Sequence, residues 1–521
     1  MQTFQRILHT MAGRSLGGIA KSLARLVSYR PVVIALVLGV GLFCRLMQYL
    51  PDRSVNHDEA ALAVNLLERS YAGLLKPLDF DQGAPVGFLV IEKALAGVLG
   101  HSEYALRLFP FVCGLISLFV FAWVAPQVLS RNAALIALAL FAVTRGLVYY
   151  STELKQYSSD VLFALLLTAL ALRTYRTEAW SWKHMFGWGL AGATAVWFSH
   201  PSVFVLAGTG IVYVLSSAVA RDWRRVGGFM LTGVLWVASF LTCYFLFLCK
   251  LAQNTFLLSF WDGSFMPLPP RSAHDLEWFP ATFFDILNAP TGFTAHNVSV
   301  AAVAVLAFLV GCVALFRSER RITLWMLLAP IGITLLVSGL HKYPFGDRLI
   351  LFLVPAFLLI IACGAEEIWS RVRPVLPTLA VAFMSLLFLA PTMGAVGKIL
   401  EPGRSDQIKP MLQYLKDHRQ PGDRVFVYCL AWPPYRYYAS QYGLPLDDSV
   451  VVGTRATDWR KYLDDVDQFK GEPRMWMLFL HHTTSTRLFQ GELARVAVRR
   501  EGLQAEGAAV GLYDFSNRST P

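Results

Sequence analysis

Long apolar runs separated by short charged or Gly/Pro-containing connections dominate the chain from about residue 31 to 396. An apolar helix needs about 20 residues to cross the hydrocarbon core, and every backbone polar group there must be satisfied internally, so such runs read as membrane-spanning helices. About eleven are counted, near 31–50, 104–125, 132–150, 158–174, 184–198, 202–220, 228–250, 298–316, 322–340, 348–365 and 375–396. The run near 184–198 is short and glycine-rich.

The charges between the runs give an independent check, because Lys and Arg accumulate in cytoplasmic connections. After the basic N-terminus they fall at every second connection: Arg131; Arg173, Arg176 and Lys183; Arg221, Arg224 and Arg225; Arg317, Arg320 and Arg321; Arg371 and Arg373. This alternation predicts a cytoplasmic N-terminus and an outer C-terminus. The outer connections are then 51–103, 151–157, 199–201, 251–297, 341–347 and the tail. The long ones, 51–103 and 251–297, are rich in Pro, Trp and acidic residues, as functional loops often are.

From about Ser405 the pattern changes to alternating helix and strand. Asp406 to Arg419 reads as an amphipathic helix, Arg424 to Tyr428 as a buried strand, Tyr435 to Tyr442 as a short helix and Met475 to Leu480 as another strand. The expected fold is thus a polytopic α-helical membrane protein with a small C-terminal soluble α/β domain. Its expected parts are a basic amphipathic segment 1–30, a membrane domain 31–400 and an outer domain 401–521. No Gly-rich phosphate loop or nucleophile motif appears in the tail, and His481-His482 reads as an exposed loop or a metal-like pair.

Composition agrees with lipid as the main solvent. Of the 521 residues, 55% are hydrophobic and 16% charged, and the mean hydropathy is +0.48. The net charge of +11 comes from clusters between apolar runs, a topology signal and no nucleic-acid surface. Six of the seven cysteines lie inside apolar runs and none forms a Cys-x-x-Cys pair, which argues against a disulfide framework or zinc site. The segment up to Arg30 carries the five basic residues Arg6, Arg14, Lys21, Arg25 and Arg30 and no Ala-x-Ala site, as expected of a retained signal anchor on a bacterial inner membrane.

The candidate chemistry gathers on one side. The first outer loop opens Ser54-Val-Asn-His-Asp-Glu-Ala-Ala61, with His57 and the adjacent carboxylates Asp58 and Glu59 where a helix begins. Either carboxylate suits a helix N-terminus, so capping is one reading. The same side holds Gln82 in Asp79-Phe-Asp-Gln-Gly-Ala-Pro85, and Lys93 in an apolar segment of about 15 residues expected to lie on the outer surface. Glu153, Lys155, Tyr157 and Asp160 follow in the second outer connection, His200 in the third and Arg348 after the fifth.

Ionisable groups near a bilayer are kept where they pair or face an aqueous cavity. Lys155 and Arg348 singly read equally well as snorkelling side chains. Together with Asp58, Glu59, Glu153 and His200 they define a shared cavity. Carboxylates on one wall and cations on another suit transfer from a lipid-linked phosphosugar: a carboxylate takes the acceptor proton and a cation holds the departing phosphate.

At these residues the chain resembles the GT-C glycosyltransferases, in particular the bacterial relatives of protein O-mannosyltransferases and of ArnT (glycosyltransferase family 39-like). The shared pattern is an Asp-Glu pair early in the first outer loop, surface helices in that loop, a multi-spanning body and an outer C-terminal domain. The resemblance implies Asp58 as catalytic base with Glu59 beside it, and inversion at the anomeric carbon of a polyprenyl-phosphate sugar. It further implies a glycolipid, glycan or protein acceptor, with membrane lipids around the protein and no nucleic-acid partner. ArnT-like members carry a Lys before the equivalent of Pro85, where this chain has Ala84, so Lys155, Arg348 or Lys93 is expected to meet the donor phosphate. His57, Gln82, Glu153, Tyr157, Asp160 and His200 complete the expected binding set, with no cofactor and no metal. A transporter and a lipid-linked polysaccharide ligase or polymerase are the competing readings.

Overall fold

The structure is a computed structural model that describes residues 30–177, 181–295, 298–401, 406–454, 468–480 and 484–516. The basic N-terminal segment before Arg30 and the His481-His482 pair lie outside the described residues.

All eleven apolar runs are helical. Among the described residues, eight helices are long and apolar enough to cross a membrane, or nine if the bent pair Arg131–Val143 and Arg145–Thr152 is one span. The other two, Trp182–Phe198 and Ala301–Arg317, have 17 residues each, about a turn short of a full crossing. The chain is therefore a multi-pass membrane protein, with fewer full-length spans than apolar runs.

The spans pack through small residues, which let backbones approach where the hydrophobic effect offers no driving force. Ala301–Arg317 and Val354–Val372 meet most closely: a Cβ on Gly364 would lie 1.8 Å from the Ala307 carbonyl oxygen, and one on Gly311 would lie 2.0 Å from that of Ile360. The bent pair turns by 54° at Thr144. A single 3-10 turn, Tyr150–Thr152, then delivers Glu153 and Lys155 to the body's edge.

The loop of residues 51–103 forms two helices, His57–Glu68 and Val86–Leu99, the second in the apolar segment where the sequence predicts one. The first starts because Asn56 caps it: the Asn56 side chain accepts the Glu59 N–H at 2.9 Å, and Glu59 Oε2 accepts the Asn56 N–H at 3.2 Å. This reciprocal capping box satisfies two otherwise orphaned donors.

The C-terminal region folds into a five-stranded sheet. Its strands are β3 (Arg424–Val427), β4 (Val450–Val452), β5 (Met475–Leu480), β6 (Val498–Ala505) and β7 (Ala508–Asp514), after a small β1–β2 pair (Thr294–Ala295, Val298–Ser299) in the membrane body. The order is β4-β3-β5-β7-β6, with β4, β3 and β5 parallel and β7 and β6 antiparallel. β5 is buried at every position, as a central strand covered on both faces must be. The helices Ile408–His418 and Trp432–Tyr442 match two sequence expectations.

One apolar core fills the membrane body. A second is shared: Leu62, Leu66, Phe88 and Leu89 of the helices His57–Glu68 and Val86–Leu99 are continuous with Tyr435, Tyr438 and the β-sheet interior. The soluble domain is thus fused by packing to the loop that opens with His57.

Candidate functional site

The two adjacent carboxylates Asp58 and Glu59 are separated by one helical step. Glu59 turns inward, where Arg107 donates to it from Nε at 2.7 Å and from Nη2 at 2.6 Å, and the Leu154 N–H adds a third bond at 3.0 Å. Burial opposes its charge, but Arg107 and these hydrogen bonds outweigh that and hold the Glu59 carboxyl below its ordinary range. Arg107 also donates to the carbonyls of Arg53 and Ser54, so this buried pair fixes the chain where it enters the helix.

Asp58 turns outward, and its side chain is 40% exposed. Arg348 Nη2 donates to Asp58 Oδ2 at 3.0 Å, Arg348 Nε donates to the Tyr157 hydroxyl at 3.1 Å, and Nη1 reaches Asp347 at 3.2 Å. The guanidinium lies over the Trp261 ring, 5.3 Å from its centroid. Tyr157 is held in turn edge-to-face on Tyr150. Arg348 therefore stands where four connections meet, with its planar fork aimed at a partly exposed carboxylate.

Lys155 is buried beside this pair. Its ammonium donates to the Gln82 side chain, burial lowers its pKa, and the Asp58 charge works against that. Gln82 is presented by a turn in which Phe80 and Asp81 both take left-handed backbone angles, φ 62° and 54°. Asp347, next to Arg348, does the same at φ 45°. Non-glycine residues adopt such angles at a cost of about 1–3 kcal/mol each, and they concentrate at functional sites. Asn254 donates to Asp81 at 2.7 Å and so ties the long loop after residue 250 to this turn.

Glu153 lies behind the pair. It accepts from Asn56 Nδ2 at 2.9 Å, and burial, then the Glu59 charge, push its carboxyl up to about 7. Arg53 flanks it, donating to the Thr152 carbonyl at 2.6 Å. His57 is held from the soluble domain, its Nδ1–H donating to the Leu430 carbonyl at 2.8 Å.

The expected residues thus divide. His57, Asp58, Gln82, Lys155, Tyr157 and Arg348 gather around the Asp58–Arg348 pair, with the buried Glu59 and Glu153 behind it. Lys93 does not join them: it donates to the Leu66 carbonyl at 2.8 Å and lies on the Tyr71 ring, eight residues or about 12 Å along the helix from Asp58. Asp160 is buried one turn inside the next span, with one carboxylate oxygen lacking a hydrogen-bond partner. His200 is half-buried just before the span Ser202–Val219, and burial lowers its pKa to about 4. Arg107, Asn56, Trp261 and Asp347 were not singled out from sequence. A lone Arg near the start of an apolar run and the Asn56-x-x-Glu59 spacing were the available signals. Among the described residues no three His, Cys, Asp or Glu side chains come together as a metal site.

Comparisons with known proteins bear on this geometry. The family model described as dolichyl-phosphate-mannose-protein mannosyltransferase matches residues 82–261. No curated protein matches the sequence. Among solved structures, ArnT from Cupriavidus metallidurans bound to undecaprenyl phosphate is similar at a TM-score of 0.57 and 14% identity, over 93% of this chain and 98% of that one. The Archaeoglobus fulgidus oligosaccharyltransferase AglB, in complex with an inhibitory peptide and a dolichol-phosphate, is similar at a TM-score of 0.52 and 12% identity, over 95% of this chain and 75% of that one.

Proposed function

From the premise that this chain has the GT-C glycosyltransferase fold, we propose that it transfers a sugar from a polyprenyl-phosphate donor to an acceptor hydroxyl, with inversion. Asp58 takes the hydroxyl proton while the acceptor oxygen bonds to the anomeric carbon. The bond from that carbon to the phosphate oxygen breaks, and Arg348 and Lys155 receive the charge of the departing polyprenyl phosphate. Glu59 does not touch the reactants; with Arg107 it positions the helix that carries Asp58. Gln82 orients Lys155, Tyr157 orients Arg348, and His57 lines the acceptor side.

The observation that carries this reading is the pairing of open Asp58 with Arg348, with Lys155 beside them, at the edge of an apolar body. A base and a phosphate clamp are thereby within reach of one headgroup whose tail remains in lipid. The lipid phosphates held by the two solved proteins of the same fold support such a donor. The acceptor is a glycolipid, glycan or protein hydroxyl, since each asks for the same base. The working arrangement is a bacterial inner membrane with the N-terminus cytoplasmic, residues 31–400 as catalytic body, and residues 401–521 on the outer face.

The test is transfer by purified protein from a panel of polyprenyl-phosphate sugars, with Asp58→Asn as control. Loss of transfer in that variant is expected. Full activity would remove Asp58 as base, and failure with every lipid donor would favour the transporter. Labelling a cysteine at position 58 from outside intact cells tests the orientation; access only from the cytoplasm would overturn it.

A further inference from the structure

The soluble domain grips the segment that leads into the Asp58 helix, atom by atom. The Tyr438 hydroxyl accepts the Val55 N–H at 2.9 Å and donates to Glu103 at 2.7 Å. Leu430 receives the His57 ring, and the Lys409 N–H donates to the Ser54 hydroxyl at 3.4 Å. Lys409 Nζ bridges Asp52 at 2.7 Å and Glu103 at 2.5 Å. On the membrane side Arg107 binds the Arg53 and Ser54 carbonyls. The turn of residues 53–57 is thus held from below by Arg107 and from above by the Trp432–Tyr442 helix and the loop before it. Tyr438 is fully buried, so Val55 N–H has no solvent to replace the hydroxyl.

Resting on Asp58 as base, we propose that the C-terminal domain is a positioning element of the reaction, with Tyr438 as the residue that sets the height of Asp58. Packing alone asks only for an aromatic ring there, and the buried ring supplies it. The hydroxyl does something further: its two hydrogen bonds fix Val55 relative to Glu103, three residues before the base on one side and at the start of a span on the other. Displacing a reacting group by about 1 Å can cost about 100-fold in rate. A single hydroxyl remote from the reactants therefore controls the chemical step without touching substrate.

The decisive variant is Tyr438→Phe, which keeps the ring and removes both hydrogen bonds. Two measurements separate positioning from folding. Amide hydrogen exchange over residues 52–62 should speed up in the variant, and unchanged exchange would overturn the proposal. With protein in excess over donor in proteoliposomes of envelope lipid, the rate constant for consuming the polyprenyl-phosphate sugar should fall about 10- to 100-fold at full amplitude, with donor KM in steady state unchanged. Reduced amplitude at an unchanged rate constant would mean a smaller folded fraction and would sink the positioning role. Arg436→Ala, which removes the exposed ion pair with Glu68 on the same interface, should leave the rate constant unaltered. If the wild-type protein consumes no donor of the panel, the reading of Asp58 falls first; if it does and Tyr438→Phe matches it, only the role of Tyr438 is lost.

Discussion

Asp58 and Glu59 are consecutive in the chain yet opposite in circumstance: the Asp58 side chain is 40% exposed and meets Arg348, whereas the Glu59 side chain is 2% exposed and meets Arg107. One helical step separates a partly exposed carboxylate from one that is locked in place. Their substitutions should therefore fail in different ways.

Asp58→Asn is expected to lower transfer by at least about 100-fold, the scale of general-base catalysis, with an unchanged thermal midpoint in detergent. Glu59→Gln should instead destabilise the fold by about 3–5 kcal/mol, because it strands the buried Arg107 charge. A midpoint for Glu59→Gln equal to the wild type would contradict the structural assignment.

Arg348→Ala should reduce kcat by about 100- to 1,000-fold, the usual loss when one charged stabiliser of the transition state is removed. Arg348→Lys should recover only part of this. An ammonium supplies charge without the fork that reaches Asp58, Tyr157 and Asp347 together. Equal rates for the lysine variant and the wild type would show that charge alone suffices.

Glu153 gives the site a pH signature. Its carboxyl is raised to about 7 from an ordinary 4.5, so between those values the folded protein binds more protons than the unfolded chain. Stability from this group consequently declines as pH rises from about 4.5 to 7. Glu153→Gln mimics the protonated form, so its melting midpoint should gain on that of the wild type above pH 7 and lose the advantage near pH 5. A constant difference across that range would refute the assignment.

Gly364→Ala should be costly although the change is one methyl group. The new Cβ would lie 1.8 Å from the Ala307 carbonyl oxygen, and backbone cannot rotate aside as a side chain can. A loss of about 1–3 kcal/mol is expected, the range for overpacked cores, read as a lower midpoint. Gly39→Ala, with nothing within 4 Å of the added carbon, is the matched control.

Much of the architecture was legible because lipid imposes a length and a composition on every crossing. The eleven runs, the helix near Val86 and the strand at Met475 all followed from runs of apolar residues. The β6–β7 hairpin did not, because Val498-Arg-Arg-Glu501 is an exposed strand with a bulge at Arg499/Glu501 and carries no apolar alternation. At the site, sequence brought Asp58, Lys155 and Arg348 to one side, since topology sorts charges by face. It placed Lys93 with them as well, because face is all that topology resolves. Whether a lysine on that face bends to a cleft or to a helix carbonyl such as that of Leu66 depends on distances that no charge pattern encodes.

The core shared between the His57 helix and the β-sheet joins parts of the chain made at opposite ends of synthesis. His57 and Leu430 are 373 residues apart, and every span described after Pro31–Tyr49 lies between them. The helix that carries Asp58 therefore lacks its packing partner until the C-terminal sheet has been made and folded. A chain stopped before Leu430 has the residues of the Asp58 helix but neither the carbonyl that receives His57 nor the buried aromatic rings that pack on that helix.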